Sequence, residues 1–205
     1  MAGKFIVIEG PDRSGKSTLS NSLNSVLENR GFKTYLTHEP TDFMDQGLNI
    51  LKQIDRKQYF ILLGMFLRDR NNHNEKILEM LGEDRIVICD RYSLSTLAYQ
   101  GVYFKNHFSD PEEFIKWMET TLSICHLRPD MTLFLSLNDP LSRKVNELER
   151  KLTTFENGGY LEDVNRMYHE AIKRKIFFDP GHEIDASLPK NIVLDNALKI
   201  LEKVL

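Results

Sequence analysis

Eight residues near the amino terminus have the types and order that phosphate chemistry needs. Gly10-Pro11-Asp12-Arg13-Ser14-Gly15-Lys16-Ser17, followed by Thr18, fits the pattern G-x-x-x-x-G-K-[ST]. Glycines at both ends let backbone N–H groups turn inward around phosphate oxygens, and a helix opening at the end of the loop adds partial positive charge there. Lys16 is placed to reach the outer phosphates of a nucleotide, and the Ser17 hydroxyl to sit on a Mg²⁺ ion that shares their charge. Arg13, inside the loop, can lean over the terminal phosphoryl group as an arginine finger supplied in cis; the other reading is a solvated loop arginine.

A second group follows the apolar run Ile86-Val87-Ile88-Cys89. Asp90-Arg91-Tyr92 sets a carboxylate, a guanidinium and a phenol at a strand's carboxyl end, where open α/β sheets gather ligands. Asp90 suits the magnesium shell through water, and Arg91 offers a fork matched to an acceptor's phosphate; a structural Asp-Arg pair is the alternative. Phe66 and Arg70 lie four apart in a predicted helix and share a face, so a ring that stacks a base would neighbour a donor for its exocyclic oxygen. Against that stands a core ring on the apolar stripe of Phe60, Leu63 and Leu67, with a solvated arginine beside it.

These groups need a scaffold of alternating strands and helices. Apolar runs at residues 5–8, 86–89 and 131–137, bounded by turn signals, read as buried parallel strands, with weaker strands at 33–37 and 183–185. Helical patterns cover 17–29, 58–81, 162–177 and 192–205. The alternation predicts a three-layer α/β/α fold of the P-loop NTPase type, with a mostly parallel five-stranded sheet. The least regular stretch, 144–159, is polar and ends in Asn157-Gly158-Gly159, a turn that suits the hinge of a mobile lid over roughly 141–160.

The bulk composition narrows the functional classes. At 205 residues the chain fits one domain that buries roughly 70% of the surface its unfolded form would expose. The 27 Lys and Arg against 30 Asp and Glu give a net charge of -3 with no basic block, which disfavours a nucleic-acid partner. Hydrophobic residues at 41% argue for neither disorder nor a membrane class. Cys89 and Cys125 lie far apart, lack the spacing of a zinc site and read as packing residues in a reduced compartment. With an apolar strand starting at Phe5 and no leader before it, the expected location is cytoplasmic.

Taken in order, five segments make the whole chain resemble the thymidylate kinase family. They are GPDRSGKST at the phosphate loop, THEP at residues 37–40, MFLRDR at 65–70, DRYSLSTLAYQG at 90–101, and the lid exit and tail, FENGGY at 155–160 with IDAS at 184–187. The resemblance implies transfer of the γ-phosphoryl group of ATP-Mg²⁺ to the 5′-phosphate of dTMP, in a homodimer. It implies that Phe66 stacks on thymine, that Arg70 bonds the carbonyl edge, and that Arg91 holds the dTMP phosphate. Ser95 and Thr96 would lie along the base, and Tyr99 would fill the space of a ribonucleotide's 2′-hydroxyl. Asp12 would address the 3′-hydroxyl or the magnesium shell, Pro40 would shape the acceptor pocket, Glu156 would orient groups at the lid exit, and Ala186 would flank adenine. Arg13 is similar to the catalytic arginine of the subgroup that carries one in its phosphate loop, although Thr41 and Asp42 stand where that subgroup often has a further arginine.

Two questions stay open at the level of sequence. Arg143, Lys144, Arg150 and Lys151 can each face adenine, phosphate or water. A kinase of deoxynucleosides or of another nucleoside monophosphate remains the nearest alternative, with Glu39 able to imitate the base that a sugar hydroxyl would need. A signalling GTPase would carry an Asn-Lys-x-Asp guanine reader, and the chain has none.

Overall fold

Alternation along the central strands decides which side of the sheet each helix covers. In β1 (Lys4–Glu9), Ile6 and Ile8 face one layer, and Phe5 and Val7 face the other. β3 (Ile86–Asp90) repeats this, with Ile86 and Ile88 on the first side and Val87 and Cys89 on the second. Side chains of a strand point alternately up and down, so a strand apolar on both faces must be sandwiched. The computed structural model of the chain describes residues 2–42, 59–137 and 158–205.

The sheet is completed by β2 (Thr34–His38), β4 (Met131–Ser136) and β5 (Gly181–Asp185), in the order β2-β3-β1-β4-β5 with every pairing parallel. α1 (Lys16–Asn29) and α6 (Lys190–Leu201) cover the first face through Leu19, Leu23, Leu27, Val193, Ala197 and Leu201. α2 (Tyr59–Gly82), α3 (Ser93–Phe104), α4 (Pro111–Ser123) and α5 (Gly158–Lys173) build the second layer, with a 3-10 turn at Lys105–His107. β1 lies between β3 and β4, so the strand order reverses there and a crevice opens beyond its carboxyl end.

Several elements differ from the sequence expectation. Neither α3 nor α4 was expected. α3 is buried along most of its length, so it lacks the polar stripe by which an amphipathic helix is read. α4 does carry a signature: Asp110 accepts from the Glu112 N–H at 2.9 Å, Pro111 takes the first turn, and Glu112 and Glu113 face the positive end of the helix dipole. Gly158 and Gly159, expected in a turn, open α5, and Asn157 before them lies outside the described residues. α5 stops at Lys173, and Lys175 (φ 59°) and Phe177 (φ 54°) beyond it take left-handed backbone that a helix cannot continue through. α6 spans Lys190–Leu201 where 192–205 was expected. The proposed lid up to residue 157, with Glu156, Arg143, Lys144, Arg150 and Lys151, lies outside the described residues.

Candidate active site

The phosphate loop runs from the end of β1 into α1 on left-handed backbone. Gly10 has φ 148° and Gly15 φ 95°, and a Cβ on Gly10 would stand 2.7 Å from the Leu135 carbonyl oxygen. Arg13 also takes a left-handed conformation (φ 65°) and is exposed on the wall of the cavity beside the loop. Lys16 points inward: it is 5% exposed and its Nζ donates to the Pro11 carbonyl at 2.7 Å. Burial, and then the neighbouring Arg91 cation, lower its pKa to about 8.

Asp90 closes β3 directly beside the loop. Its Oδ2 accepts from the Ser17 hydroxyl at 2.6 Å, and its Oδ1 is buried without a hydrogen-bond partner. A buried lone carboxylate oxygen next to a hydroxyl suits a hard cation or the water bound to one. No cluster of three or more His, Cys, Asp or Glu able to hold a metal occurs among the described residues. A magnesium ion here would therefore take most of its ligands from phosphate oxygens and water, as Mg²⁺ commonly does.

Arg91 sits one residue further, again left-handed (φ 71°), with its N–H bonded to the Ile8 carbonyl at 2.9 Å. Glu9 imposes that turn. Fully buried, it accepts from Tyr92 N at 2.9 Å, from Ser95 N at 3.1 Å and from the Ser95 hydroxyl. Burial raises the Glu9 pKa, and the Ser95 bonds oppose that rise. Tyr168 of α5 ties the same knot to the phosphate loop, 2.8 Å from Ser95 Oγ and donating to the Gly10 carbonyl at 3.1 Å. Arg91 is thus aimed across the loop at Asp12, with which it pairs through Nη2, and lies 5.1 Å from the Tyr99 ring centroid. Burial works against its charge, but Tyr99, Tyr168 and Asp12 outweigh that and raise its pKa. The Tyr99 hydroxyl accepts from Asp12 N at 2.9 Å, which fixes the loop from the other side.

Two cavities meet at this pair. The larger, about 650 Å³, is lined by Asp12, Arg13, Ser14, Gly15, Lys16, Ser17 and Thr18 of the loop, by Arg91, and on the far side by Ala186, Leu188 and α6. Gly10 and Pro11 are buried and do not line it. The second, about 310 Å³, shares Asp12 and Arg91 and continues between α2, α3 and the start of α5. Pro40, Phe66, Ser95, Thr96 and Tyr99 all line it, as expected, together with Glu39, Gln100, Tyr103 and Tyr160. Phe66 is half-buried and belongs to none of the core clusters, which removes the core-ring alternative.

Arg70 departs from the solvated alternative. It is 1% exposed, so it is not solvated, and it does not itself line the cavity. Its Nε and Nη2 donate to Glu39 Oε2 at 2.9 and 2.6 Å, and Nη2 donates also to Thr96 Oγ1 at 2.6 Å. Burial alone would raise the Glu39 carboxyl, but Arg70 and His73 hold it below the usual range, which makes it a weak base. The Ser95 hydroxyl is likewise engaged, with Glu9. Sequence reasoning missed Glu9 and Gln100. Gln100 lines the second cavity with a buried Oε1 that lacks a hydrogen-bond partner, and its place directly after Tyr99, inside the segment DRYSLSTLAYQG, was the available signal.

Comparison with known proteins gives one answer throughout. The sequence model of the family described as thymidylate kinase matches residues 8–196. A probable thymidylate kinase of Picrophilus torridus is 34% identical over 205 residues, covering 98% of this chain and 96% of that protein. A thymidylate kinase of Brachyspira hyodysenteriae is 30% identical over 216 residues, with 99% and 95% covered. Among solved structures, the crystal structure of thymidylate kinase from Ehrlichia chaffeensis superposes with a TM-score of 0.70 at 25% identity, covering 98% of this chain and 99% of that one.

Proposed function

The chain belongs to the thymidylate kinase family, and we propose that its two cavities are the donor and acceptor sites, joined where Arg91 meets Asp12. The enzyme transfers the γ-phosphoryl group of ATP to the 5′-phosphate of dTMP. The observation that carries the site assignment is the shared wall: a phosphate-loop cavity and a base-sized cavity have Asp12 and Arg91 in common, so phosphates entering from both sides converge there.

Each side chain then has a task. ATP places its phosphates along residues 12–18, with Gly10 and Pro11 forming the turn behind them, Lys16 on the outer oxygens and Ala186 flanking adenine. Swinging from the Pro11 carbonyl to a phosphate costs Lys16 little, since one buried acceptor replaces another. Arg91 exchanges Asp12 for the acceptor phosphate, a doubly charged and better-matched partner, and Asp12 turns to the sugar 3′-hydroxyl or to water of the magnesium shell. Phe66 stacks on thymine opposite Tyr99, with Pro40 shaping the floor and Thr96, Gln100 and Arg70 reading the polar edge. Tyr99, pinned by Asp12 N and the Arg91 cation, cannot withdraw to admit a 2′-hydroxyl. Arg13 at the rim leans over the transferring group. Ser17, and Asp90 through water, would hold a Mg²⁺ ion, which would supply positive charge to the phosphates of ATP.

A phosphate monoester is already a nucleophile at neutral pH, so the protein need supply only alignment and positive charge. The weak basicity of Glu39 accords with this and not with deprotonation of a sugar hydroxyl. We assign the chain as one domain with a lid over roughly 141–160, Glu156 orienting groups at its exit, and a cytoplasmic location in keeping with two buried free thiols. No helix among the described residues is long and apolar enough to cross a membrane. A homodimer belongs to the same proposal: α2 leaves Phe60, Ile61 and Leu78 exposed, and light scattering at the monomer mass of 23.9 kDa would rule it out.

A coupled ADP-release assay with ATP-Mg²⁺ and dTMP, dUMP, UMP, AMP or thymidine tests the acceptor. Turnover should favour dTMP over UMP by roughly a hundredfold or more. Phosphorylation of thymidine without dTMP would refute the reading. The donor side carries its own pH signature, because Lys16 binds phosphate only as the ammonium. With its pKa near 8 in the free enzyme, kcat/KM for ATP should fall about tenfold per pH unit above that value. Saturating ATP should shift this limb in kcat upward, since bound phosphates hold the proton on Lys16. A kcat/KM profile flat to pH 9.5 would contradict the assignment.

A further inference from the structure

Arg70 is held in an unusual way. Both of its engaged nitrogens reach a single oxygen, Glu39 Oε2, so the pair is not a fork on two oxygens. Its remaining nitrogen, Nη1, is buried without a partner, the arrangement expected of a donor reserved for a ligand. What fixes the direction of that nitrogen is the Glu39 carboxylate, which takes two of the three hydrogen bonds of the guanidinium, with the Thr96 hydroxyl as the third contact. A carboxylate's last torsion is broad and soft, so contact at one oxygen does not set it.

The other oxygen, Glu39 Oε1, lies 3.1 Å from His73 Nδ1, and His73 Nε2 lies 2.7 Å from Thr37 Oγ1. His73 is 5% exposed and sits three residues after Arg70, on the same face of α2. An ionised carboxylate only accepts, so Nδ1 carries the proton; in the neutral imidazole Nε2 then accepts from the Thr37 hydroxyl. The hydrogen bonds run in one direction, from Thr37 on β2 through His73 to Glu39, and Glu39 in turn holds Arg70.

We propose that His73 is a positioning residue for dTMP recognition, acting through Glu39 to hold the Arg70 guanidinium against the base edge. This rests on reading Arg70 as a donor to that edge. Without His73, Glu39 keeps its pairing with Arg70 but loses its fixed plane, and Nη1 no longer meets the base in one place. The phosphate loop does not touch this chain of contacts, so ATP binding and phosphoryl transfer are spared.

Steady-state kinetics of the full-length enzyme, with ATP and dTMP varied separately, tests this. His73→Leu should raise KM for dTMP about tenfold, with kcat and KM for ATP within about twofold. His73→Asn places an amide N–H where Nδ1 stands and should recover most of the loss, whereas His73→Gln, whose N–H lies near the Nε2 position, should not. Equal KM values for the Asn and Gln variants, or an unchanged KM in His73→Leu, would overturn the proposal. If His73→Leu does not fold, the comparison of Asn with Gln decides, supported by Thr37→Val, which should shift KM for dTMP in the same direction. Arg70→Met run alongside separates two failures. If it leaves KM for dTMP unchanged, the reading of Arg70 falls; if it raises KM while the His73 variants do not, only the role of His73 falls.

Discussion

Replacing Arg13 with alanine is expected to lower kcat about 10³-fold or more, with KM for ATP and dTMP changed by less than about fivefold. Arg13 is exposed at the rim of the donor cavity, on left-handed backbone. On the proposed assignment, ground-state phosphates would already be gripped by the loop's N–H groups and Lys16, so a rim guanidinium would add little to binding. Its value appears as charge gathers on the transferring group, the position an arginine finger occupies. Arg13→Lys should recover only part of the rate, because an ammonium cannot span two oxygens in a plane. A kcat loss under about tenfold would move the catalytic cation elsewhere, with Arg143 and Arg150 of the expected lid as the next candidates.

Arg91→Ala should cost about 10³ in kcat/KM for dTMP, and far less in KM for ATP. Among the described residues Arg91 is the one cation that lines both cavities, and Glu9 clamps the turn that aims it. On the proposed assignment its loss would remove the fork for the acceptor phosphate and leave Asp12 facing that phosphate uncompensated, so repulsion would add to the missing attraction. Asp12→Asn on the Arg91→Ala background should therefore restore part of the activity, which initial-rate measurements of the double variant would show. Independent, additive losses would mean that Asp12 and Arg91 do not share a site.

What could be read from the sequence divides along physical lines. The phosphate loop is local: nine consecutive residues carry both its candidate side chains and its backbone conformation, so Lys16, Ser17 and Thr18 could be singled out without the fold. The central strands were equally legible, because a strand buried on both faces has no polar alternation to confuse it. α3 was missed because a helix buried nearly all round has no stripe, even though it supplies Ser95, Thr96, Tyr99 and Gln100. Glu39 was weighed as a base because its partners are invisible locally: Arg70 and His73 lie 31 and 34 residues away and become neighbours only when α2 crosses the end of β2. Glu9 was missed for the same reason, its donors being 83 and 86 residues distant. Charged residues were legible as chemistry but not as pairs, and pairing is what turned Arg70 from a solvated side chain into a buried donor.

The most direct test of two sites meeting at Arg91 and Asp12 is calorimetric titration with adenosine and thymidine joined 5′ to 5′ through a polyphosphate chain. Such a molecule should bind one per chain, displace both ATP and dTMP, and exceed the affinity of either by about a hundredfold or more, since linking makes the second contact intramolecular. The gain should vanish in Arg91→Ala while ordinary ATP binding persists. A linked molecule that binds no more tightly than ATP, and competes with only one of the two substrates, would contradict a shared phosphate junction.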